Sequence, residues 1–172
     1  AGSSGARTFP AFRRYVIERS QTRVFALLNI SSLGMVTGYG GLEDPSWANV
    51  EEAAEAGRRN RDVVLGVKAR IPPQDEGSYI EIVRRGIEAA EAFGGFFMLH
   101  TGGPSVPFDR LAEMLRPGDV ATHAFRGGSF ILDESGGVHE SVWEARRRGV
   151  VFDVGHGGGS FSFDTARKAF EQ

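Results

Sequence analysis

Apolar residues gather along this chain in short continuous runs set between longer amphipathic stretches. The run that organises the rest is Val63-Val64-Leu65-Gly66-Val67-Lys68-Ala69-Arg70, rich in valine and without helical spacing. Such a run reads as a strand covered on both faces, as in a parallel sheet. Four other stretches read the same way: Val24 to Ile30, Phe96 to His100, Asp119 to His123 and Val150 to Val154.

Between the runs the apolar positions recur at steps of three and four. Thr8 is expected to cap a helix presenting Phe12, Tyr15, Val16 and Arg19 and ending near Ser20. Asp44-Pro45 is expected to open one helix with Trp47, Val50 and Ala54 on its inner face and Gly57 near its end. A third helix spans about Gly77 to Phe93, with Ile80, Val83, Ile87 and Ala90 as its stripe, stopped by Gly94-Gly95. Pro107 opens a fourth, with Phe108, Leu111, Ala112 and Leu115, closed by Pro117-Gly118. Val138, Val142 and Ala145 mark a fifth, and Ser162 caps a sixth carrying Phe163, Ala166 and Phe170.

Strands alternating with helices at this beat predict an α/β fold of parallel βαβ units. Gly155-His156-Gly157-Gly158-Gly159-Ser160 lacks the third glycine of a dinucleotide fingerprint, and no such motif follows the first strand. A (β/α)8 barrel gathers its chemistry at the C-terminal ends of successive strands, where Lys68, His100 and His123 fall. A full barrel needs about 250 residues. The expectation is therefore a partial barrel of about five βα units with outer helices, residues 1–172 forming one incomplete domain.

Composition narrows the chemistry. With 41% apolar residues in 172 the chain can bury a core. A net charge of −2 gives no footprint for nucleic acid or an anionic membrane, which favours small-molecule partners. Assembly as a homo-oligomer stays open. Without cysteine there is neither a disulfide framework nor a thiolate site, so any metal needs His, carboxylate or a modified lysine. No apolar run reaches the length of a membrane span and the start has no signal-peptide pattern, so the cytoplasm is the expected location. The opening Ala1-Gly2-Ser3-Ser4-Gly5-Ala6 has no initiator methionine, and truncation or processing is expected.

Lys68, His100 and His123 are predicted to converge at one face. Imidazoles are ordinary ligands for zinc, but an ammonium has no lone pair. A lysine that adds CO2 becomes an anionic carbamate able to bridge two metals, and burial favours the neutral, reactive amine. A second reading is a strand-end lysine that forms a Schiff base in a lyase or aldolase, and a non-catalytic binding or assembly piece is a third. Arg70 could grip a substrate carboxylate or make a structural ion pair. His156, Gly157 and Ser160 could help hold substrate, or form only a turn. Asp153 reads as mid-strand and structural, His139 as exposed, and the arginines at 58, 59 and 61 and at 146–148 as partners of helix C-terminal dipoles.

Gly66-Val67-Lys68-Ala69-Arg70, Met98-Leu99-His100, Asp119-Val120-Ala121-Thr122-His123-Ala124-Phe125 and Phe152-Asp153-Val154-Gly155-His156-Gly157 together resemble the amidohydrolase superfamily, in its dihydroorotase-like, metal-dependent deacetylase branch. The opening loop resembles the one after that family's second strand. The resemblance implies a barrel holding two divalent metals, usually zinc, bridged by a carboxylated lysine at Lys68, with His100 and His123 as further ligands. It implies hydrolysis of the amide, or an ester, of a small N-acyl amino acid by a metal-bound hydroxide. The resemblance implies that the barrel's first and last strands are lacking: the family's His-x-His and its strand-eight aspartate have no counterpart here and are expected before Ala1 and beyond Gln172, so no catalytic acid or base is assigned. An internal piece of this kind is expected neither to hold two metals tightly nor to turn over substrate unaided.

Overall fold

The structure, a computed structural model, describes residues 2–36, 38–101, 106–128 and 130–172. Five strands alternate with helices in the expected order: β1 (Ala26–Asn29), β2 (Val64–Ala69), β3 (Phe96–His100), β4 (Val120–Thr122) and β5 (Val151–Asp153). The helices are α1 (Phe9–Tyr15), α2 (Val50–Arg59), α3 (Glu76–Glu91), α4 (Phe108–Met114), α5 (Glu140–Arg148) and α6 (Phe163–Phe170). The chain divides within β3 into two compact units, Ala1–Met98 and Leu99–Gln172.

In the first unit β1 pairs parallel with β2, Asn29 opposite Lys68. Gly66 lies against the backbone of Phe96, at the start of β3. A side chain there would meet the Phe96 carbonyl oxygen, so the strand's one glycine marks where two backbones close up. The core is built on Leu28, Ile30, Val67, Ile82, Val83 and Phe97. In the second unit Thr101 follows β3 and donates to the Thr122 carbonyl at the end of β4, and β4 pairs parallel with β5. The sheet order is thus β1-β2-β3-β4-β5, an α/β sheet as expected.

Several local expectations need correction. Asp44 and Asn49 are two caps in tandem, so a 3-10 turn (Pro45–Trp47) precedes a separate α2 instead of one helix. Asp44 accepts from Ser46 N and Asn49 from Glu52 N, both at 2.9 Å. Thr8 stands at the N-cap of α1 as expected but makes no side-chain capping bond; its hydroxyl bonds the Gly5 and Leu33 backbone, and only Phe9 of that helix is buried. Tyr15 and Val16 are exposed, and the segment continues as a 3-10 turn (Ile17–Arg19). The buried face of α3 is Tyr79, Ile82, Val83, Gly86, Ala89 and Ala90, rotated from the stripe expected through Ile80 and Ile87. The rotation follows from Gly86, where the Phe97 ring leaves no room for a side chain. Leu65 is exposed, so β2 is not covered along its whole length. Phe163 and Phe170 are 82% and 77% exposed; of the three expected residues α6 buries only Ala166, together with Thr165.

The arginines at 58 and 59 and at 146–148 do stand in the last turns of α2 and α5. His139 is exposed ahead of α5. An apolar groove of about 410 Å³ between α5, β5 and α6 contains none of the candidate site residues. Among the described residues no helix is long and apolar enough to cross a membrane.

Candidate metal centre

In the second unit β3 ends in His100, and His123 follows β4 directly. Their rings meet edge-on, with centroids 4.3 Å apart and planes at 65°. Two of the three expected ligands are therefore together. His123 is the one non-glycine among the described residues with positive φ, at 65°. A left-handed conformation costs a residue with Cβ about 1–2 kcal/mol, so the surroundings must hold it in place.

They do so through the loop after β5. His123 Nδ1 lies 2.7 Å from the Gly155 carbonyl oxygen. A carbonyl only accepts, so Nδ1 carries the proton and the lone pair of the neutral ring sits on Nε2. A backbone carbonyl on the far nitrogen is how metal-binding histidines are commonly oriented. Gly155 itself has φ 50°, and a Cβ on it would meet the Thr122 hydroxyl and come within 2.7 Å of His123 Nδ1. Glycine is required there twice over, by conformation and by space.

The layer beneath is polar, buried and bonded. Thr122, 2% exposed, donates from its hydroxyl to Asp153 at 2.5 Å, and its carbonyl accepts from the Thr101 hydroxyl at 2.6 Å. Ala124 N donates to the Asp153 carbonyl at 3.1 Å and Ser162 N to the Phe125 carbonyl at 2.8 Å. These bonds stitch the loop carrying His123 to the loop after β5. Asp153 is the last residue of β5 rather than a mid-strand one, and its carboxylate is engaged by Thr122, in keeping with a structural part. Thr101, Thr122 and Gly155 were not singled out from the sequence as supports for His123; the one available signal was the glycine itself.

In the first unit Lys68 is the penultimate residue of β2 and is 7% exposed. Gly2, with φ 80°, packs so closely that a Cβ would overlap Lys68 Cβ and lie 2.6 Å from its Cγ. Asn29, 1% exposed at the end of β1, fixes that glycine through a 3.0 Å bond from Nδ2 to the Gly2 carbonyl. The Asn29 amide oxygen accepts from Ser31 N at 2.9 Å. The lysine stem is thus confined by backbone. Arg70 is half-buried, with its guanidinium 5.0 Å from the centre of the Tyr39 ring. In the second unit the His156 ring lies 5.3 Å from that of Phe161, and Ser160 N closes a turn on the Gly157 carbonyl at 3.0 Å. Of the loop after β3, Gly102 and Gly103 lie outside the described residues. Among those described, no group of three or more His, Cys, Asp and Glu could hold a metal.

No family model matches the chain. Over its whole length it is 35% identical to a deacetylase of Brucella anthropi, of which it covers 44%. A deacetylase of Agrobacterium fabrum is also 35% identical, over 98% of this chain and 42% of its own, and one of Enterococcus faecalis is 32% identical. Two solved structures each superpose on 99% of the chain. One is an adenine deaminase with a TM-score of 0.85 and 32% identity, the other a dihydroorotase with 0.82 and 33%. Over its whole length this chain is similar to proteins of the amidohydrolase superfamily. Its five strands are those of a partial (β/α)8 barrel as that superfamily builds it. Superfamily members generally use divalent metals. The chain spans about half the length of the relatives it matches.

Proposed function

We propose that this chain carries part of the active centre of a metal-dependent amidohydrolase that cleaves the amide, or an ester, of a small N-acyl amino acid. The observation that carries the reading is the His100–His123 pair, with the His123 tautomer set by Gly155 so that Nε2 bears the lone pair. That donor chemistry fits a divalent cation. His100 and His123 would hold it as neutral imidazoles, and Lys68, converted to a carbamate, would be a further ligand. The metals would supply Lewis acidity and lower the pKa of a water.

The chain's own residues do the positioning. The Gly155 carbonyl keeps the Nδ1 proton in place and so aims His123, while the packing of Gly2 and Asn29 confines the Lys68 stem. Arg70, His156, Gly157 and Ser160 would contribute to the substrate side. In the net reaction water adds across the C–N bond: the acyl carbon gains OH and the departing nitrogen gains H. The deacetylase, deaminase and dihydroorotase names of the relatives support a C–N hydrolase. The Schiff-base reading of Lys68 leaves the imidazole pair without a role.

The test uses the full-length protein on a panel of N-acetyl amino acids, following release of the free amine. Activity is expected to vanish on exhaustive chelation, return with zinc, and fall to background in His123→Asn with the fold retained. Turnover insensitive to chelation, or a carbonyl substrate trapped on Lys68 by borohydride, would overturn the reading.

A further inference from the structure

Thr122 joins the ends of three strands immediately ahead of His123. Its carbonyl, part of the peptide plane that leads into the histidine, accepts from the hydroxyl of Thr101 beyond β3 at 2.6 Å. Its own hydroxyl donates to the Asp153 carboxylate at 2.5 Å, across the last paired position of β4 and β5. The peptide plane after His123 is held as well, by Ala124 N on the Asp153 carbonyl. Among the described residues the Asp153 carboxylate takes this one hydroxyl and no cation. Asp119, at the other end of β4, is instead paired with Arg116 at 3.0 Å.

A threonine carries both a methyl and a hydroxyl on Cβ, and its rotamer decides which group points where. The choice matters for Gly155. The position its Cβ would take is filled by the Thr122 hydroxyl and lies 2.7 Å from His123 Nδ1. Gly155 therefore packs directly on that oxygen while its carbonyl takes the Nδ1 proton. A methyl group is broader than a hydroxyl, so a methyl turned toward Gly155 would push the carbonyl off the imidazole. The charge-assisted bond to Asp153 keeps the hydroxyl there.

We propose that Asp153 is a positioning residue for His123: its carboxylate locks the Thr122 rotamer, which seats Gly155 so that the Gly155 carbonyl fixes the tautomer of the ring. The strand-end carboxylate thus has a directed task beyond holding two loops together. That the aimed imidazole serves a metal rests on the hydrolase reading; the link from Asp153 to the ring does not, and it is testable without metal or turnover.

The test is heteronuclear NMR of the metal-free full-length protein with isotope-labelled histidine, which reads the protonated nitrogen of each ring; His123→Asn assigns the resonance. The wild type should show the Nδ1–H form. Thr122→Val sets a methyl where the hydroxyl was, and should shift the tautomer ratio about 3- to 10-fold toward Nε2–H, the worth of one hydrogen bond. Asp153→Ala should do the same, and the double variant no more than either alone, because both break one link. Thr122→Ser and Asp153→Asn keep the donor and an acceptor and should stay within about twofold of wild type. Zinc affinity, read by competition with a chelator, should fall in the same order, by about 10-fold in Thr122→Val. Should one variant fail to fold, the other decides, since each breaks the link from one side. The proposal is overturned by a ratio unchanged in both, by a shift in Thr122→Ser as large as in Thr122→Val, or by zinc affinities that do not follow the tautomer. A lowered melting temperature with the tautomer intact would also overturn it, the bond then serving the fold alone. A wild type that binds no zinc, with the tautomer following the variants, would remove the metal reading and leave the positioning role standing.

Discussion

Gly155→Ala in the full-length protein is expected to weaken metal retention by about 10- to 100-fold, the range seen when an outer-shell partner of a metal-binding histidine is lost. Residue 155 sits at φ 50°, which an alanine adopts only with strain. The added methyl would come within 2.7 Å of His123 Nδ1 and closer still to the Thr122 hydroxyl. Neither neighbour can yield easily. Thr122 is held by Asp153 and by Thr101, and His123 is already in a left-handed conformation. Relief must come from moving the 155 backbone, which breaks the 2.7 Å bond that orients the imidazole. Dialysis against a graded chelator followed by elemental analysis reads the effect. Retention equal to wild type would mean that the Gly155 carbonyl does not serve His123.

Gly66→Ala is expected to cost about 3 kcal/mol or more of stability, at the upper end of overpacking effects, or to prevent folding. The methyl would fall on the Phe96 carbonyl oxygen, a backbone atom with no rotamer to escape into. The β2 backbone would have to draw back just before Lys68, whose carbonyl accepts from Ile30 N at 2.9 Å. Gly158→Ala is the control, since a Cβ there meets nothing within 4 Å, and its cost should stay within about 0.5 kcal/mol. Denaturant melts of the full-length variants distinguish the two. Equal, small costs would contradict the close approach of β2 and β3.

The strands were legible because their apolar runs are too short for helices and are bounded by glycine, proline or polar turns; Phe96 to His100 agrees end to end. The helix faces were not. On α3 the buried line passes through Gly86 and two alanines, residues with too little apolar surface to stand out in a periodicity, while Ile80 and Ile87 catch the eye and sit half-exposed. Phe163 and Phe170 misled in the same way, since an amphipathic pattern shows that a face is apolar but not what lies against it. Tandem caps at Asp44 and Asn49 make a break that the Asp-Pro start signal alone does not show. In the candidate site, strand ends pointed to both histidines because topology fixes where strand ends lie. The supports around them were invisible. A threonine hydroxyl and a backbone carbonyl carry no spacing signature, and their meaning depends on contacts far apart in sequence.

One measurement tests the central claim most directly: a crystal structure of the zinc-reconstituted full-length protein with anomalous data at the metal edge. The account predicts an anomalous peak coordinated by His100 and His123, with the Gly155 carbonyl on His123 Nδ1 and added carboxyl density on Lys68. A metal bound without these imidazoles, or an unmodified Lys68 amine beside an occupied site, would contradict it.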